Sequence, residues 1–172
     1  MTTIHTKAPF AAAVYKPDTG DRMALMKFVE KQQLLNTRVG GIIQEATFSS
    51  DGRLTGLNAV DVSTNRRIPI THPVKSDDEC RLDASALTET TDIIRTAIND
   101  RVDLIVVEKF GDLEQKGKGL IDEILQTIVE GIPLLISVPE AALPIWQERS
   151  GKLGSVIPCT EEDIQQWWQN IK

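Results

Sequence analysis

An acidic side chain follows one of the most apolar runs in the sequence. Residues 102–107 (VDLIVV) are nearly all apolar, and Glu108 comes directly after them. Such a run is typical of a strand buried on both faces of a parallel sheet, and α/β proteins bind ligands at the carboxyl ends of such strands. A carboxylate at that place can hold Mg²⁺ or accept a proton from water. We therefore predict that Glu108 is a catalytic residue and a metal ligand.

Three residues shortly after Glu108 extend this candidate site. Lys109 is adjacent to it, and Gly111 and Glu114 follow within six positions. We predict that Glu114 is a second catalytic acid, and that Lys109 and Gly111 bind the ligand. The alternative is that Glu108, Lys109 and Glu114 form a surface cluster that only shapes a loop.

A second candidate region lies between the first apolar run and the first helical pattern, where residues 15–22 read YKPDTGDR. A phosphate-binding loop at this place would read G-x-x-x-x-G-K-[ST]. Its backbone N–H groups surround the phosphates, its Lys neutralises them and its hydroxyl holds Mg²⁺. Only Gly20 matches, because Asp21 stands in place of the Lys and Arg22 in place of Ser or Thr. The residues that we predict to contact a ligand here are Lys16, Thr19, Gly20 and Arg22.

The size of the electrostatic change at Asp21 decides what this region can do. A unit charge about 4 Å from a phosphate contributes roughly 4 kcal/mol at an effective dielectric constant near 20, so changing attraction to repulsion costs about twice that. Pro17 also removes one backbone donor. Lys16 and Arg22 can return some positive charge, but from different positions. We expect that efficient triphosphate hydrolysis is lost, whereas these residues still allow a small anion to bind.

Arg81 is a further candidate for contact with an anion. It lies beside Cys80 at the end of a polar segment, residues 73–79, that we expect to be a mobile loop. The alternative is a structural or solvated arginine. The sequence contains no CxxC or HExxH motif for a structural metal and no G-x-S-x-G nucleophile motif. Because no export signal is visible, we expect both cysteines to be thiols in a reducing compartment, the cytoplasm.

Strands and helices must position these residues. We predict strands at residues 10–15, 38–48, 53–63, 67–70, 102–107 and 133–138, and helices at residues 21–33, from 83 to 98, 120–130, from 139 onward and 160–171. Helices and buried strands alternate at both ends of the chain, and a hairpin lies between them. This order indicates a three-layer α/β domain over residues 1–172, with a mainly parallel sheet and an inserted antiparallel hairpin.

The C-terminal helix carries the clearest local pattern. Thr160 and Asp163 resemble a capping box, and apolar residues follow at helical spacing, namely Ile164, Trp167, Trp168 and Ile171. We expect this helix to dock the C-terminus onto the sheet. The alternative is a face that binds a protein partner.

The middle of the chain resembles the THEP-type nucleoside triphosphatases, a branch of the P-loop class. The matching residues are Val39-Gly40-Gly41, Glu45, Gly56 and Asp61-Val62. The segment from Asp103 to Val138 resembles the Walker B region of that family, with Glu108 at its acidic position and Lys109 at the next. The resemblance implies a P-loop-like fold with a degenerate Walker A motif.

A closer likeness, over most of residues 9–168, is to a bacterial domain family of unknown function that is related to those enzymes. The stretches that carry it are Cys80-Arg81-Leu82-Asp83, Lys109-Phe110-Gly111-x-Leu113-Glu114, Gly131-Ile132-Pro133 and Val138-Pro139-Glu140. Resemblance to this family implies a context of molybdenum uptake.

Charge and pattern together leave three functions open. The 25 acidic and 19 basic residues give a net charge of -6, which argues against nucleic-acid and anionic-membrane partners. The first hypothesis is a degenerate P-loop-like protein that binds a small anionic ligand, a nucleotide or an oxyanion, without turnover. The second is a divergent nucleoside triphosphatase that uses Glu108 and Glu114 with Mg²⁺. The third is an interaction scaffold that binds a protein partner through the C-terminal helix.

Overall fold

A computed structural model describes residues 8–17, 23–72, 81–82 and 84–171 of the chain. The strands are β1 (Phe10–Tyr15), β2 (Val39–Phe48), β3 (Leu54–Asp61), β4 (Arg67–Pro69), β5 (Thr71–His72), β6 (Arg81–Leu82), β7 (Leu104–Val107), β8 (Leu134–Pro139) and β9 (Ser155–Pro158). The helices are α1 (Ala24–Leu34), α2 (Ala84–Asn99), α3 (Asp112–Gln115), α4 (Ile121–Val129), α5 (Leu143–Arg149) and α6 (Glu161–Ile171), with a 3₁₀ turn at Glu140–Ala142 before α5.

Seven strands form one sheet in the order β4-β3-β2-β7-β8-β1-β9. The five strands from β2 to β9 in this order run parallel to their neighbours, whereas β3 and β4 are antiparallel. The predicted α/β fold, with a mainly parallel sheet and an inserted hairpin, is therefore confirmed. Strands β5 and β6 pair separately as a two-stranded sheet.

Helices cover both faces of the sheet and give it two cores. On one face, α2, α4 and α5 bury Ile94, Ile124 and Trp146 against the strands. On the other face, α1 and α6 bury Phe28 and Trp168. Because side chains alternate along a strand, β1, β7 and β8 supply apolar residues to both cores, which explains their nearly continuous apolar sequences.

A glycine pair in β2 allows the central strands to approach closely. Gly41 has φ +113°, and a Cβ placed on it would lie 2.0 Å from the carbonyl oxygen of Val106 in β7. A Cβ on Gly40 would lie 2.7 Å from that of Ala97 in α2. Only glycine fits either position without moving its neighbours. The pair therefore sets where β7 and the residue after it, Glu108, lie beside β2.

The C-terminal helix docks as the sequence predicts. The Thr160 hydroxyl accepts a hydrogen bond from the Asp163 N–H at 3.1 Å and lies 2.6 Å from the Asp163 carboxylate. Trp167 and Trp168 are each 5% exposed, and the Trp168 indole N–H donates to Gln32 Oε1 of α1. The two indoles therefore pack inside the protein and leave no exposed aromatic face for a partner.

Four short elements of the fold were not predicted from the sequence: strands β5, β6 and β9 and helix α3. Strand β9 was missed because its four residues alternate between half-buried and exposed, since it pairs with β1 at the edge of the sheet. The short helix α3 was also missed. Among the described residues, no helix is long and apolar enough to span a membrane.

Candidate functional site

Glu108 lies at the carboxyl end of β7, where the sheet order brings three strand ends together. Its backbone N–H donates to the Ile42 carbonyl of β2 at 2.9 Å. Its carboxylate Oε2 accepts from the Gln44 backbone N–H at 3.0 Å. Within the described part of the chain, the other oxygen, Oε1, has no hydrogen-bond partner. Strand β2 therefore fixes the carboxyl group while leaving acceptor capacity for a ligand.

Burial makes ionisation of the Glu108 carboxyl group less favourable. Desolvation raises the pKa of its carboxyl group above the ordinary 4.5, and this effect outweighs the Gln44 hydrogen bond and the positive charge of Lys109, which both lower it. A half-buried carboxylate with a raised pKa is the kind of group that serves as a proton acceptor or a metal ligand at functional sites.

Ser137 lies on the strand next to Glu108. In the register of β7 and β8, Val107 is opposite Ile136, so Glu108 and Ser137 are the next residues of neighbouring strands. Ser137 is 2% exposed, and its hydroxyl has no hydrogen-bond partner among the described residues. Buried hydroxyl groups normally have such a partner, so this one has hydrogen-bonding capacity that the described residues do not use.

Tyr15 ends the next strand along, β1. Burial, followed by the negative charges of Glu108 and Cys159, raises the pKa of its phenol from 10.0 to about 12. Only β8 separates β1 from β7 in the sheet, so the two strand ends lie close together at one edge. We call Tyr15, Ser137 and Glu108 the strand-end cluster; by strand alternation all three point to the face that α1 and α6 cover.

Lys16 follows Tyr15 at the rim of the same sheet edge, where alternation along the strand directs its side chain to the opposite face from Tyr15. Its ammonium group is 3.6 Å from the carboxylate of Glu140, which follows β8, and both side chains are more than half exposed. An exposed pair of this kind contributes about 0–1 kcal/mol to stability. Lys16 can therefore exchange Glu140 for an incoming anion at little energetic cost.

Glu114 lies in a different environment from Glu108. Its Oε1 accepts from the Gly111 N–H at 3.1 Å, and its Oε2 accepts from the Leu120 N–H at 3.0 Å. Gly111 is the N-cap of α3, and Glu114 closes the loop between β7 and α4. These contacts favour a loop-shaping role for Glu114 and Gly111, while Lys109 stays beside Glu108.

Several predicted contacts cannot be placed. Thr19, Gly20 and Arg22 lie outside the described residues, as does the predicted loop at residues 73–79. Arg81 lies in β6. The ligand-binding role of these residues stays a prediction from the sequence.

The described residues offer little for a metal held by protein alone. Within them, no three His, Cys, Asp or Glu side chains come together as a metal site. Glu108 is a single carboxylate, and Mg²⁺ is typically held by one or two carboxylates together with water and substrate phosphates. Glu108 could therefore supply one oxygen to a Mg²⁺ ion that is also held by water and substrate phosphates.

Sequence reasoning missed two members of the strand-end cluster. Ser137 is the one polar residue in LLISVP of β8, which was a usable signal. Tyr15 is the last residue of β1, and only the sheet order shows that β1 and β7 flank the same strand.

Comparison with known proteins supports the fold and gives a family. The model of the family described as "Protein of unknown function (DUF2478)" matches residues 10–167. The chain is also 35% identical, over 161 residues, to a protein named molybdenum import ATP-binding protein ModC 2 from Bradyrhizobium diazoefficiens. That match covers 93% of this chain but only 18% of the relative, so the chain spans about a fifth of that protein's length.

A solved structure shares the architecture. The crystal structure of THEP1 from Aquifex aeolicus superposes with a TM-score of 0.67 and covers 95% of this chain and 96% of that one. At 18% identity the likeness shows that the two proteins share a fold.

Proposed function

This chain belongs to the DUF2478 family of proteins of unknown function, and from that premise we propose that it binds a small anionic ligand at the carboxyl end of its sheet without efficient hydrolysis. The ligand is a nucleotide phosphate or an oxyanion. The observation that carries the proposal is the strand-end cluster. It places the Ser137 hydroxyl, whose hydrogen-bonding capacity the described residues leave unused, and the Tyr15 phenol at the carboxyl end of the sheet, while the Glu108 carboxyl group can accept from a protonated oxygen of the ligand or bind a cation that accompanies it.

The fold supports a ligand at this edge of the sheet. Parallel α/β sheets bind ligands at the carboxyl ends of their strands, and the strand-end cluster lies there. Lys16 provides a positive charge at the rim, held only by an exposed ion pair with Glu140. A hydroxyl such as that of Ser137 can donate to an anion oxygen.

Two features argue against efficient turnover. The segment after β1 has Asp21 in place of the lysine and Arg22 in place of the hydroxyl residue of a working phosphate loop. Glu114, the second acid expected to act on water, has both carboxylate oxygens engaged by backbone N–H groups. Both halves of the usual hydrolytic machinery are therefore weakened.

The similarity to ModC 2 suggests which ligands to test first. That relative is named for molybdenum import and for ATP binding. We propose an accessory role in molybdenum uptake, in which the bound ligand is molybdate or a nucleotide. The match to a fraction of that protein is the support for this role.

A binding experiment tests the proposal. Thermal unfolding of the protein is followed with ATP, GTP and molybdate, each with and without Mg²⁺. A ligand at 100 times its dissociation constant adds about 2.7 kcal/mol to the free energy of unfolding, which appears as a clear rise in Tm. Phosphate release is measured in the same samples, and we expect binding without release above background.

Matched variants locate the site. Lys16→Ala removes the rim charge and should weaken binding, whereas Lys31→Ala removes an exposed charge from α1 and should leave affinity unchanged. If none of the three ligands raises Tm under any condition, the proposal is wrong.

The placement of Glu108 favours a second candidate, a divergent nucleoside triphosphatase. Glu108 ends β7 as an acid ends a Walker B strand, and it could supply one oxygen to a nucleotide-bound Mg²⁺. Phosphate release that depends on Mg²⁺, that Glu108→Gln abolishes and that Glu148→Gln leaves intact would replace the first proposal with this one.

The third hypothesis is a protein partner that docks on the C-terminal helix. If all three ligands fail to bind, this hypothesis is tested by searching for a protein that binds the exposed face of α6.

A further inference from the structure

A cavity lies beside Glu108 on the face of the sheet that α1 covers. It lies between α1 and the β2–β3 hairpin and has a volume of about 590 Å³. That volume falls within the range of pockets that hold small organic molecules. Among the described residues that line it, Glu108 is the one that the sequence predicted as a site residue, and we call this cavity the hairpin cleft.

The floor and mouth of the hairpin cleft are apolar. Buried side chains from the sheet, Ile43 and Val60, form its floor together with Val29 of α1. At its mouth, Met23 and Phe48 are 44% and 63% exposed. A thioether at the start of α1 and an aromatic ring at the end of β2 are both suited to contact a flat ring.

The charged groups that line the cleft are mainly acidic. Three carboxylates line it, those of Glu30, Glu45 and Glu108. Its one arginine, Arg67, is already engaged, because its Nε lies 2.9 Å and 3.1 Å from the two oxygens of Glu45. The hairpin cleft therefore repels an anion and favours a neutral or cationic group that donates hydrogen bonds.

We propose that the hairpin cleft binds a planar heterocycle that presents adjacent N–H and NH₂ donors to Glu108, as the 2-amino-4-oxopyrimidine edge of guanine and pterins does. Such a donor pair matches the two oxygens of a carboxylate in the way that a guanidinium does. Glu108 Oε1 has no hydrogen-bond partner in the described part of the chain, and Oε2 keeps one lone pair beyond its bond to the Gln44 N–H. The apolar walls cover the ring faces.

This inference goes beyond the anion site and does not depend on it. A neutral nucleoside carries no phosphate, so it tests the hairpin cleft alone. Guanosine has the donor pair, whereas inosine lacks only the exocyclic amine. Binding of guanosine, inosine and unsubstituted pterin is measured by ligand-observed NMR and by fluorescence of the pterin.

We expect guanosine and pterin to bind saturably. Inosine should bind at least about tenfold more weakly than guanosine, because a hydrogen bond to a charged group is lost. Glu108→Gln should weaken guanosine about tenfold as well, while Glu162→Gln on the exposed face of α6 should not. If neither guanosine nor pterin binds saturably, or if inosine binds as well as guanosine, the proposal is wrong.

A second pair of variants separates cleft binding from effects on folding. Glu30 of α1 is exposed and lines the cleft, so Glu30→Trp places a large side chain at the cavity without touching the core. Glu148→Trp makes the same exchange at an exposed position of α5. Loss of binding in Glu30→Trp, with Glu148→Trp unaffected, supports the hairpin cleft; equal binding by both places the probe elsewhere and overturns the inference.

Discussion

The end of β7 and the loop that follows it contain two glutamates six residues apart, and the fold uses them differently. Glu108 is held by one backbone N–H from β2, and burial raises its pKa. Glu114 receives two backbone N–H groups of its own loop, from Gly111 and Leu120. Glu108 keeps hydrogen-bond acceptor capacity for a ligand, whereas Glu114 uses its acceptor oxygens to hold the loop between β7 and α4.

This difference shows why residue type and position near a strand end are insufficient to identify a functional acid. Both glutamates follow the same apolar strand, and the sequence suggests the same role for both. What separates them is the number of backbone donors that reach each carboxylate. A functional acid needs a lone pair that the fold has not already used.

The largest expected effect comes from separating β7 from β2, which would remove the support of Glu108 and leave the Glu114 loop intact. Gly41→Ala places a Cβ against the Val106 carbonyl in a backbone region that alanine rarely adopts. We expect a loss of at least about 3 kcal/mol in the free energy of unfolding, measured by urea denaturation.

Gly52→Ala is the matched control for Gly41→Ala. Gly52 also has a positive φ, +86°, but a Cβ there meets nothing within 4 Å. It should cost only the backbone strain, about 1–2 kcal/mol. Equal losses in the two variants would contradict the close approach of β2 and β7.

The next effect concerns the loop. Glu114→Gln replaces one acceptor oxygen by an NH₂ group that faces a backbone N–H. We expect a loss of about 1–3 kcal/mol in stability because one buried donor is left without a partner. Ligand affinity at the strand-end cluster should stay unchanged, with Glu148→Gln as the exposed control for both measurements. A stable Glu114→Gln variant that has lost ligand binding would reverse the roles assigned to the two acids.

Most of the fold could be predicted because its strands are of the kind that sequence reveals best. The buried runs of β7 and β8 and the turns of the β2–β3 hairpin are visible without a structure. Strand β9 could not be predicted, because an edge strand needs only one apolar face and four residues are too few to show a period.

The candidate site could be predicted only in part, because it depends on the order of strands. Glu108 was predicted from its position after an apolar run. Ser137 and Tyr15 join it only because β8 lies between β7 and β1, which no local pattern specifies. The backbone donors of Gly111 and Leu120 reach Glu114 through a loop conformation that the sequence does not reveal.

A smaller effect on stability is expected from pH. Replacing Glu114 should destabilise the protein, whereas replacing Glu108 should become favourable to stability, relative to the unchanged protein, as pH rises. The pKa of Glu108 is raised on folding, so the unfolded chain releases this proton at lower pH than the folded protein does. The folded protein should therefore lose stability relative to the Glu108→Gln variant as pH rises from the ordinary value of 4.5 through the raised pKa. Urea denaturation of both proteins over a pH series measures the difference; a constant difference, or one of the opposite slope, would contradict the burial of this carboxyl group.

The smallest effect is spectroscopic and reports on the contact between strand ends. Tyr15 is the single tyrosine of the chain, so the absorbance of tyrosinate titrates this phenol alone. Its pKa should be about 12 in the native protein, raised by burial and then by the charge of Glu108. Glu108→Gln removes that charge and should lower the pKa of Tyr15 toward 10.0, whereas Glu114→Gln should leave it unchanged. If both variants move the phenol equally, or neither does, Tyr15 and Glu108 do not share one environment and the strand-end cluster is not a single site.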